Sequence, residues 1–336
     1  MKSGLKSICV KKNCSLIYAL EVMDKGGFGI VFVVDDDNKL SGVFNDVDLR
    51  SAILKGKPMN LAIEHYMNRR PITISVNSSK QELAELILKY PTKRIIPVLD
   101  KNRRVVGFEK TRLVTSTYSN PVVILAGGKG NRLMPLTAST PKPMLNINGR
   151  PLLEITIKRL QSQGFRKIYL SVNYQEDKIE DHFGNGENFG VEIKYIREPM
   201  QLGTAGPLAL INKINKITEP LLVINGDILT KVDFRSLLEY HLGNENRFTA
   251  ALYQYDFQVP FGVANLNDGK FLGVDEKPTK KFFVIAGMYV MDYAILKFIP
   301  KNKKFDMTDL MSNLMKRKIH IGCFPLREYW LDIGIH

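Results

Sequence analysis

Residues 121–145 read PVVILAGGKGNRLMPLTASTPKPML. Their first part is a short apolar run with the composition of a buried strand, and it leads directly into a glycine-rich turn. Glycines at such a point let the backbone approach a ligand closely and leave N–H groups free to face anions. Arg132 offers a fork of donors that suits phosphate oxygens, and the two prolines beside Lys142 stiffen the chain around its ammonium group. The segment therefore predicts a strand that ends in a phosphate-binding loop.

Two common phosphate-binding patterns do not describe this loop. A P-loop requires Gly-x-x-x-x-Gly-Lys-Ser/Thr, which the segment does not contain. A dinucleotide fingerprint opens a helix, whereas Pro135 interrupts any helix that would begin here. An ordinary turn would not require the glycines, Arg132 and a proline-flanked Lys142 together, so we favour ligand binding.

Strands and helices alternate beyond this segment. The patterns predict a helix over 152–164, a strand over 166–174, a helix over 176–183, a strand over 191–196, a helix from about residue 204 and a strand over 220–227. Such alternation is typical of an α/β domain with a Rossmann-like, mixed but mostly parallel sheet, whose ligands lie at the carboxyl ends of the strands. Both glycine-rich segments and Asp227 fall at such ends.

The segment 121–145 closely resembles the signature Leu-Ala-Gly-Gly-x-Gly-x-Arg-Leu-x-Pro-Leu-Thr…Pro-Lys-Pro-Met-Leu of the sugar-1-phosphate nucleotidyltransferases, a family with a GT-A-like fold. The resemblance extends over residues 121–336, although family members usually continue past the last landmark into a further helix. The other landmarks follow in the family's order: Gly203-Thr204-Ala205-Gly206, Asn225-Gly226-Asp227, Phe261-Gly262-Val263, Glu276-Lys277-Pro278, Ala286-Gly287-Met288-Tyr289 and Trp330-Leu331-Asp332-Ile333-Gly334.

The resemblance implies a role for each of several residues. The implied catalytic residues are Arg132, Lys142 and Asp227. The implied nucleotide-binding residues are Leu125, Ala126, Gly127, Gly128, Gly130, Gly203, Thr204 and Ala205. The implied sugar-phosphate-binding residues are Gly262, Glu276, Lys277 and Gly287, and the implied Mg²⁺ ligands are Asp227 and Asp332. On the residues alone, Thr204 could instead cap the helix predicted to start there, and Asp227 could be an ordinary turn residue.

The family's reaction couples a nucleoside triphosphate to a sugar 1-phosphate and releases pyrophosphate. The Leu-Gly-Thr-Ala-Gly run is similar to that of mannose-1-phosphate guanylyltransferases. The order of the domains resembles the guanylyltransferases of bacterial legionaminic acid pathways, which use GTP and glucosamine 1-phosphate. We therefore expect GTP and glucosamine 1-phosphate, with mannose 1-phosphate or transfer from UTP, CTP or dTTP as alternatives. The non-enzyme alternative is a nucleotide-sensing binding protein without catalysis.

The N-terminal part contains a weak internal repeat. Residues 16–54 and 72–114 each contain a helix followed by a strand–turn–strand with a polar turn. This tandem resembles a pair of CBS domains, an α+β module, over residues 1–118, so we expect a boundary with a catalytic domain at 119–336 and a linker at 115–120. The resemblance implies a regulatory nucleotide near Asp48, whereas Leu113 replaces the equivalent Asp of the second repeat. A structural or dimerising module is the alternative, and CBS pairs commonly self-associate, so we expect a homo-oligomer.

Composition bounds the remaining function classes. The chain has 336 residues and a formal net charge of +14. Its basic residues are spread along both halves in runs no longer than three, which does not suggest a nucleic-acid partner. No apolar run is long enough to span a membrane, and the N-terminus lacks the apolar core of a signal peptide. The three cysteines and five histidines show no metal-site spacing, so we expect reduced thiols and a cytoplasmic protein.

Overall fold

The computed structural model describes residue 5 and residues 7–90, 95–110, 117–130, 133–211 and 218–334. The chain folds into two compact units, Met1–Ser116 and Thr117–His336. The division falls within the polar segment 115–120. Each unit has its own cluster of buried apolar side chains.

The first unit consists of two similar repeats. The first repeat contains β1 (Cys9–Lys11), α1 (Leu16–Gly26), β2 (Ile30–Val34), β3 (Leu40–Asn45) and α2 (Asp46–Leu54). The second contains β4 (Ile74–Ser75), α3 (Lys80–Lys89), β5 (Ile95–Leu99) and β6 (Val105–Lys110). Each repeat forms a three-stranded sheet, in the orders β1-β2-β3 and β4-β5-β6, with one parallel and one antiparallel pair. The repeat predicted from the sequence is confirmed.

The two repeats share a core because neither buries its apolar face alone. Phe32 from the first repeat and Leu99 from the second lie in the same buried cluster. The polar turns of the two hairpins also pair, since the N–H of Leu40 donates to the carbonyl oxygen of Arg103 at 3.0 Å. Helix starts follow the expected capping chemistry, with Ser15 accepting a backbone hydrogen bond at the start of α1.

The second unit is an α/β domain. Its strands are β7 (Val122–Leu125), β8 (Asn146–Ile147), β9 (Arg150–Pro151), β10 (Lys167–Val172), β11 (Glu192–Arg197), β12 (Leu221–Asn225), β13 (Ile228–Thr230), β14 (Phe248–Gln258), β15 (Gly262–Asn267), β16 (Lys270–Glu276), β17 (Thr279–Met291), β18 (Ile321–Leu326) and β19 (Trp330–Asp332). Its helices are α4 (Leu152–Ser162), α5 (Glu176–Phe183), α6 (Leu208–Ile211), α7 (Phe234–Gly243) and α8 (Met307–Lys316).

Seven of these strands form the central sheet, in the order β11-β10-β7-β12-β17-β14-β18. All of them run in one direction except β17, which is antiparallel to both of its neighbours. The predicted mixed, mostly parallel sheet is thus confirmed. The chain leaves β7 toward β10 on one side and returns to β12 on the other. The gap between the ends of β7 and β12 is therefore a topological switch point, where ligands of such sheets bind.

Two sequence predictions about this unit were wrong. The helix expected from about residue 204 begins only at Leu208, so Thr204 is not its N-cap. The reason is that the N–H groups of Ala205 and Gly206 in the intervening turn donate to a distant part of the chain, the carbonyl oxygen of Phe305. The helix expected to end at Gly164 ends at Ser162. No helix among the described residues is long and apolar enough to cross a lipid bilayer.

Candidate active site

The switch point between β7 and β12 opens into a cleft of about 260 Å³. Leu125 and Asn225 end the two strands in register, and the N–H of Gly226 donates to the carbonyl oxygen of Leu125 at 2.9 Å. The described residues that line the cleft are Leu125, Gly127, Gly128, Lys142, Pro143, Glu198, Gln201, Gly203, Thr204, Asn225, Gly226, Asp227 and Lys304. Both glycine-rich segments and the proline-flanked lysine therefore face one space.

Glycine occupies three positions of the cleft for different local reasons. A Cβ at Gly226 would lie 2.6 Å from the carbonyl oxygen of Leu125, so close strand contact requires glycine there. A Cβ at Gly127 would lie 2.5 Å from Oε1 of Glu198. At Gly128 a Cβ would meet nothing within 4 Å, which leaves its backbone open to a ligand.

A lysine and two aspartates form the charged centre of the cleft. Nζ of Lys142 lies 2.6 Å from Oδ2 of Asp227 and 3.7 Å from Oδ1 of Asp332. Lys142 opens a 3₁₀ turn that contains Pro143, and strands β13 and β19 pair Ile228 with Asp332. This pairing brings two aspartates that are remote in sequence to one ammonium group.

The end of β19 fixes the second aspartate. Oδ1 of Asp332 accepts the N–H of Gly334 at 2.7 Å, and the N–H of Ile333 donates to the carbonyl oxygen of Asp227 at 3.1 Å. A Cβ at Gly334 would collide with Nζ of Lys142. The Gly of the Asp-x-Gly landmark thus makes room for the lysine.

The second glycine-rich turn is held by the start of α8. The N–H of Thr204 donates to Oδ1 of Asp306 at 3.0 Å, and Oγ1 of Thr204 accepts the N–H of Met307 at 2.8 Å. The N–H groups of Ala205 and Gly206 both donate to the carbonyl oxygen of Phe305, at 3.0 and 2.9 Å. These bonds explain why the turn does not continue as a helix. Thr204 caps α8, a distant helix, instead of its own.

Glu198 is a cleft residue that sequence reasoning missed. Its Oε1 accepts the hydroxyl of Ser171 at 2.7 Å, and its Oε2 accepts the N–H of Leu202 at 3.1 Å. Burial raises the pKa of the Glu198 carboxyl above its ordinary value, and the two hydrogen bonds oppose this shift only in part. A carboxylate held in this way offers acceptors, and no donor, to a ligand in the cleft.

Asn225 was also missed as a side chain with a role of its own. Its Oδ1 atom is buried and makes no hydrogen bond within the described part of the chain. A Cβ at Gly287 would lie 2.7 Å from Nδ2 of Asn225, so the glycine lets the amide pack closely. An unpaired buried acceptor is costly, and in the wall of a cleft it is satisfied most simply by a ligand donor.

The other site residues predicted from the sequence lie next to the cleft, on or just after β15 and β16, or outside the described residues. Ala126 and Ala205 are buried beneath the cleft, and Gly130 turns the loop with a φ of 64°. Gly262, Glu276 and Lys277 lie on or just after β15 and β16, whose residues do not line the cleft in the described part of the chain. Arg132 lies outside the described residues.

Asp48, the residue expected near a regulatory nucleotide, has a local bond in the first unit. Its Oδ2 accepts the N–H of Asn45 at 3.0 Å, and the side chain of Asn45 accepts the N–H of Asp48 in return. This reciprocal pair is a capping box at the start of α2. A nucleotide-binding role for Asp48 stays a prediction.

The family model of the nucleotidyl transferases matches residues 121–336, which is more than half of the chain. The chain belongs to the nucleotidyl transferase family. The cleft of this nucleotidyl transferase lies wholly within the matched residues. A CBS domain model matches residues 4–55 and 63–108 of the first unit.

Several known proteins resemble this nucleotidyl transferase. Mannose-1-phosphate guanylyltransferase of Mycobacterium tuberculosis is 33% identical over 226 residues, which cover 65% of this chain and 62% of the relative. Bifunctional protein GlmU of Methanococcus maripaludis is 34% identical over 223 residues, covering 63% of this chain and 51% of the relative. The chain thus spans between about half and three fifths of the length of these relatives.

A solved structure shares the fold of the second unit. The crystal structure of HddC from Yersinia pseudotuberculosis complexed with GMP-PN superposes with a TM-score of 0.52 at 27% identity. The superposition covers 64% of this chain and 94% of HddC. Nearly the whole of HddC therefore corresponds to one part of this chain.

Proposed function

We propose that this chain is a sugar-1-phosphate nucleotidyltransferase that uses GTP. The observation that carries the proposal is the position of Lys142 between Asp227 and Asp332, in a cleft whose wall contains two glycine-rich turns. Cationic and N–H donors suit the phosphates of both substrates, and paired carboxylates suit a divalent cation.

In the proposed reaction, a phosphate oxygen of the sugar 1-phosphate attacks the α-phosphorus of the nucleoside triphosphate. A new P–O bond forms while the bond from the α-phosphorus to the bridging oxygen breaks, and pyrophosphate leaves with that electron pair. The attacking oxygen is already anionic near neutral pH, so the protein need not supply a general base. Catalysis then depends on positioning and on charge neutralisation.

Lys142 is suited to neutralise the reacting phosphates. Its ion pair with Asp227 holds the ammonium in place before substrate arrives, and such preorganisation is what makes a cation effective in the transition state. The open backbone at Gly128 would offer N–H groups to the triphosphate. Arg132, which lies outside the described residues, is proposed to act on the departing pyrophosphate.

The donor set fits Mg²⁺. Asp227 and Asp332 both come within 4 Å of one point, the Nζ of Lys142, and about a quarter of each side chain is exposed to solvent. Carboxylate oxygens are the ligands Mg²⁺ prefers, and the ion usually keeps several waters, so two protein ligands suffice. When bound, Mg²⁺ would supply charge neutralisation at the phosphate oxygens.

Glu198 favours guanine as the base. Guanine carries two neighbouring donors, N1–H and the N2 amino group, which match the two oxygens of a carboxylate. Uracil and thymine offer one N–H between two carbonyl oxygens, which a carboxylate would repel. The names of the relatives, which include mannose-1-phosphate guanylyltransferases, and the GMP-PN complex of HddC agree with this choice.

For the sugar we propose glucosamine 1-phosphate, as in the activation of legionaminic acid precursors. This rests on the order of a CBS pair and a transferase domain. Mannose 1-phosphate is the second candidate, because several relatives carry that name. On the sugar side, Gly287 contacts the wall of the cleft through Asn225, whereas Glu276 and Lys277 would have to approach the bound sugar.

Pyrophosphate release tests the proposal. The purified chain is incubated with Mg²⁺, each of five nucleoside triphosphates, and glucosamine, N-acetylglucosamine, glucose or mannose 1-phosphate. The expected result is strong release with GTP and glucosamine 1-phosphate. Release with GTP and mannose 1-phosphate would overturn the proposed sugar substrate. Release with another nucleoside triphosphate would overturn the proposed base. If no pair gives release, the catalytic proposal fails, and the alternative is a nucleotide-binding protein without catalysis.

A further inference from the structure

A second cavity of the α/β unit lies between α8 and the segment 297–305, and we call it the α8 cavity. Its volume is about 330 Å³, which falls in the range of small-molecule sites, about 300–1,000 Å³. Its lining contains two cationic side chains, Lys297 and Arg317, and no carboxylate among the described residues. The reaction proposed above does not use this cavity.

One aromatic ring holds both cations at the α8 cavity. Nζ of Lys297 lies 5.1 Å from the ring centroid of Phe298, and Cζ of Arg317 lies 4.8 Å from the same centroid. Nε of Arg317 also donates to Oδ1 of Asn313 at 2.9 Å, which leaves its two Nη groups without a partner within the described part of the chain. An aromatic ring attracts a cation without neutralising its charge. Both charges are therefore available to an anion.

The sequence around the α8 cavity is strongly basic. Residues 297–304 contain four lysines, residues 316–318 contain two lysines and an arginine, and neither segment contains an acidic residue. The two acidic residues between these segments, Asp306 and Asp309, accept backbone hydrogen bonds from Thr204 and Asp306 respectively. The local charge is therefore positive, which attracts anions to this face of the unit.

We propose that the α8 cavity binds a small phosphate-bearing molecule. A phosphate monoester carries about two negative charges near neutral pH, which match the two cations, and its oxygens suit the fork of an arginine. A carboxylate would bring only one charge. Ile299, Pro300 and Phe305 form the apolar part of the lining and contact the organic group of the ligand.

Phe305 connects the α8 cavity to the catalytic cleft. It lines the α8 cavity, whereas its neighbour Lys304 lines the cleft. The carbonyl oxygen of Phe305 accepts the N–H groups of Ala205 and Gly206 from the second glycine-rich turn, at 3.0 and 2.9 Å. A ligand that packs against Phe305 therefore restrains the residue that holds this turn, and occupancy of the α8 cavity orders the wall of the cleft.

Affinity labelling of the full-length chain tests the site. The aldehyde of pyridoxal phosphate condenses with a lysine amine to an imine and water, borohydride reduces the imine to a stable secondary amine, and peptide mass spectrometry locates it. Labelling of Lys297 should be about tenfold greater than with pyridoxal, which lacks the phosphate, because one hydrogen bond to a charged group is worth about a factor of ten or more. The exposed Lys25 of α1 should be labelled equally by both reagents. Equal labelling of Lys297 would overturn the proposal.

Two variants separate a built site from general attraction to a basic surface. Arg317→Ala and Lys316→Ala remove the same formal charge from adjacent positions, but only Arg317 lines the α8 cavity. Arg317→Ala should abolish the preference for the phosphate reagent at Lys297, and Lys316→Ala should keep it. An equal loss in both variants would mean that the proposal fails. In the wild type, inorganic phosphate should suppress the labelling of Lys297 but not that of Lys25, which tests the site without any substitution.

Hydrogen exchange tests the connection through Phe305. Pyridoxamine phosphate has the same phosphate ester but no aldehyde, and it should slow exchange of the Ala205 and Gly206 amides about fivefold in the wild type, the lower end of usual couplings between sites. The slowing should be smaller in Arg317→Ala. Equal protection in both proteins would assign the effect to the catalytic cleft and overturn the connection. None of these measurements uses turnover, so the results are independent of the proposed reaction.

Discussion

Nζ of Lys142 lies 2.6 Å from Oδ2 of Asp227, and the two residues are 85 positions apart in the sequence. Asp332 approaches the same nitrogen from strand β19. One ammonium and two carboxylates carry a formal net charge of minus one, so the cluster attracts a further cation as well as positioning the lysine. The lysine and the aspartates therefore support each other's placement before any substrate binds.

Asp227→Asn should lower kcat at least a hundredfold, because it removes a charge that anchors Lys142 and that would bind the proposed Mg²⁺. Loss of one preorganised charge interaction typically costs about 10²–10³ in rate. The group is partly exposed, so the melting temperature should change little. Steady-state pyrophosphate release and thermal melting measure the two effects. Asp177→Asn, on the exposed side of α5, is the control and should keep wild-type turnover. Near-normal turnover of Asp227→Asn would disprove the role assigned to Asp227.

Alanine at two glycines of the cleft should have different effects, one on stability and the other on nucleotide binding. Gly226→Ala places a Cβ 2.6 Å from the carbonyl oxygen of Leu125 and should destabilise the fold by about 1–3 kcal/mol. A Cβ added at Gly128 meets nothing within 4 Å, so Gly128→Ala should leave the melting temperature unchanged. Because the same Cβ occupies space that is open to a ligand, it should raise KM for the nucleotide. Denaturant titration and initial rates measure both variants. Equal stability losses would show that the packing of the two glycines is not as described.

Much of this fold could be predicted from local sequence signals. The period of the apolar residues placed helix α5 over 176–183, and the apolar run before the glycines placed β7. The switch-point cleft followed from the alternation of strands and helices, because parallel strands bring their carboxyl ends to one edge. These features depend on residues that are neighbours in the sequence, which is why the sequence alone could predict them.

The features that the sequence did not predict depend on long-range contacts. Thr204 is bonded to Asp306 across 102 positions, and that bond replaces the helix start that its local sequence favours. Glu198 lies just after β11 with no motif around it, and only the folded chain places it in the wall of the cleft, where the buried Ser171 holds its carboxylate.

Glu198→Gln should weaken the preference for guanine. The amide keeps the size of the side chain but replaces one acceptor with a donor, which opposes the N–H groups of guanine. Hydrogen bonds to a charged group contribute about 1.5–3 kcal/mol, so kcat/KM for GTP should fall about 10- to 100-fold. The kcat/KM for ITP, which lacks the N2 amino group, should fall less than the kcat/KM for GTP. An unchanged ratio of kcat/KM for GTP to that for ITP would exclude Glu198 from base recognition.

The same residue predicts a pH dependence of nucleotide binding. Burial raises the pKa of the Glu198 carboxyl above its ordinary value of 4.5, so this group takes up a proton at a higher pH than an exposed glutamate. Only the ionised form accepts both guanine donors. KM for GTP should therefore rise as the pH falls toward the raised pKa, and the rise should be absent in Glu198→Gln. A parallel rise in both proteins would assign the effect to another group.

Asp306→Ala should release the second glycine-rich turn from the start of α8. The side chain of Asp306 accepts the N–H of Thr204 and also takes part in the capping box of α8, so its loss removes a helix cap and the anchor of the turn together. Loss of a cap costs about 0.5–2 kcal/mol.

Asp233→Ala is the matched control for that variant. Asp233 caps α7 by accepting the N–H of Arg235, and it does not line the cleft. Both variants should therefore lose a similar amount of stability in denaturant titrations. Only Asp306→Ala should raise KM for the nucleoside triphosphate, by about tenfold if the freed turn loses about 1.4 kcal/mol of binding free energy. If the two variants show the same KM, the turn is held by its other bonds, to the Phe305 carbonyl and the Met307 N–H, and the Asp306 contact contributes only to helix capping.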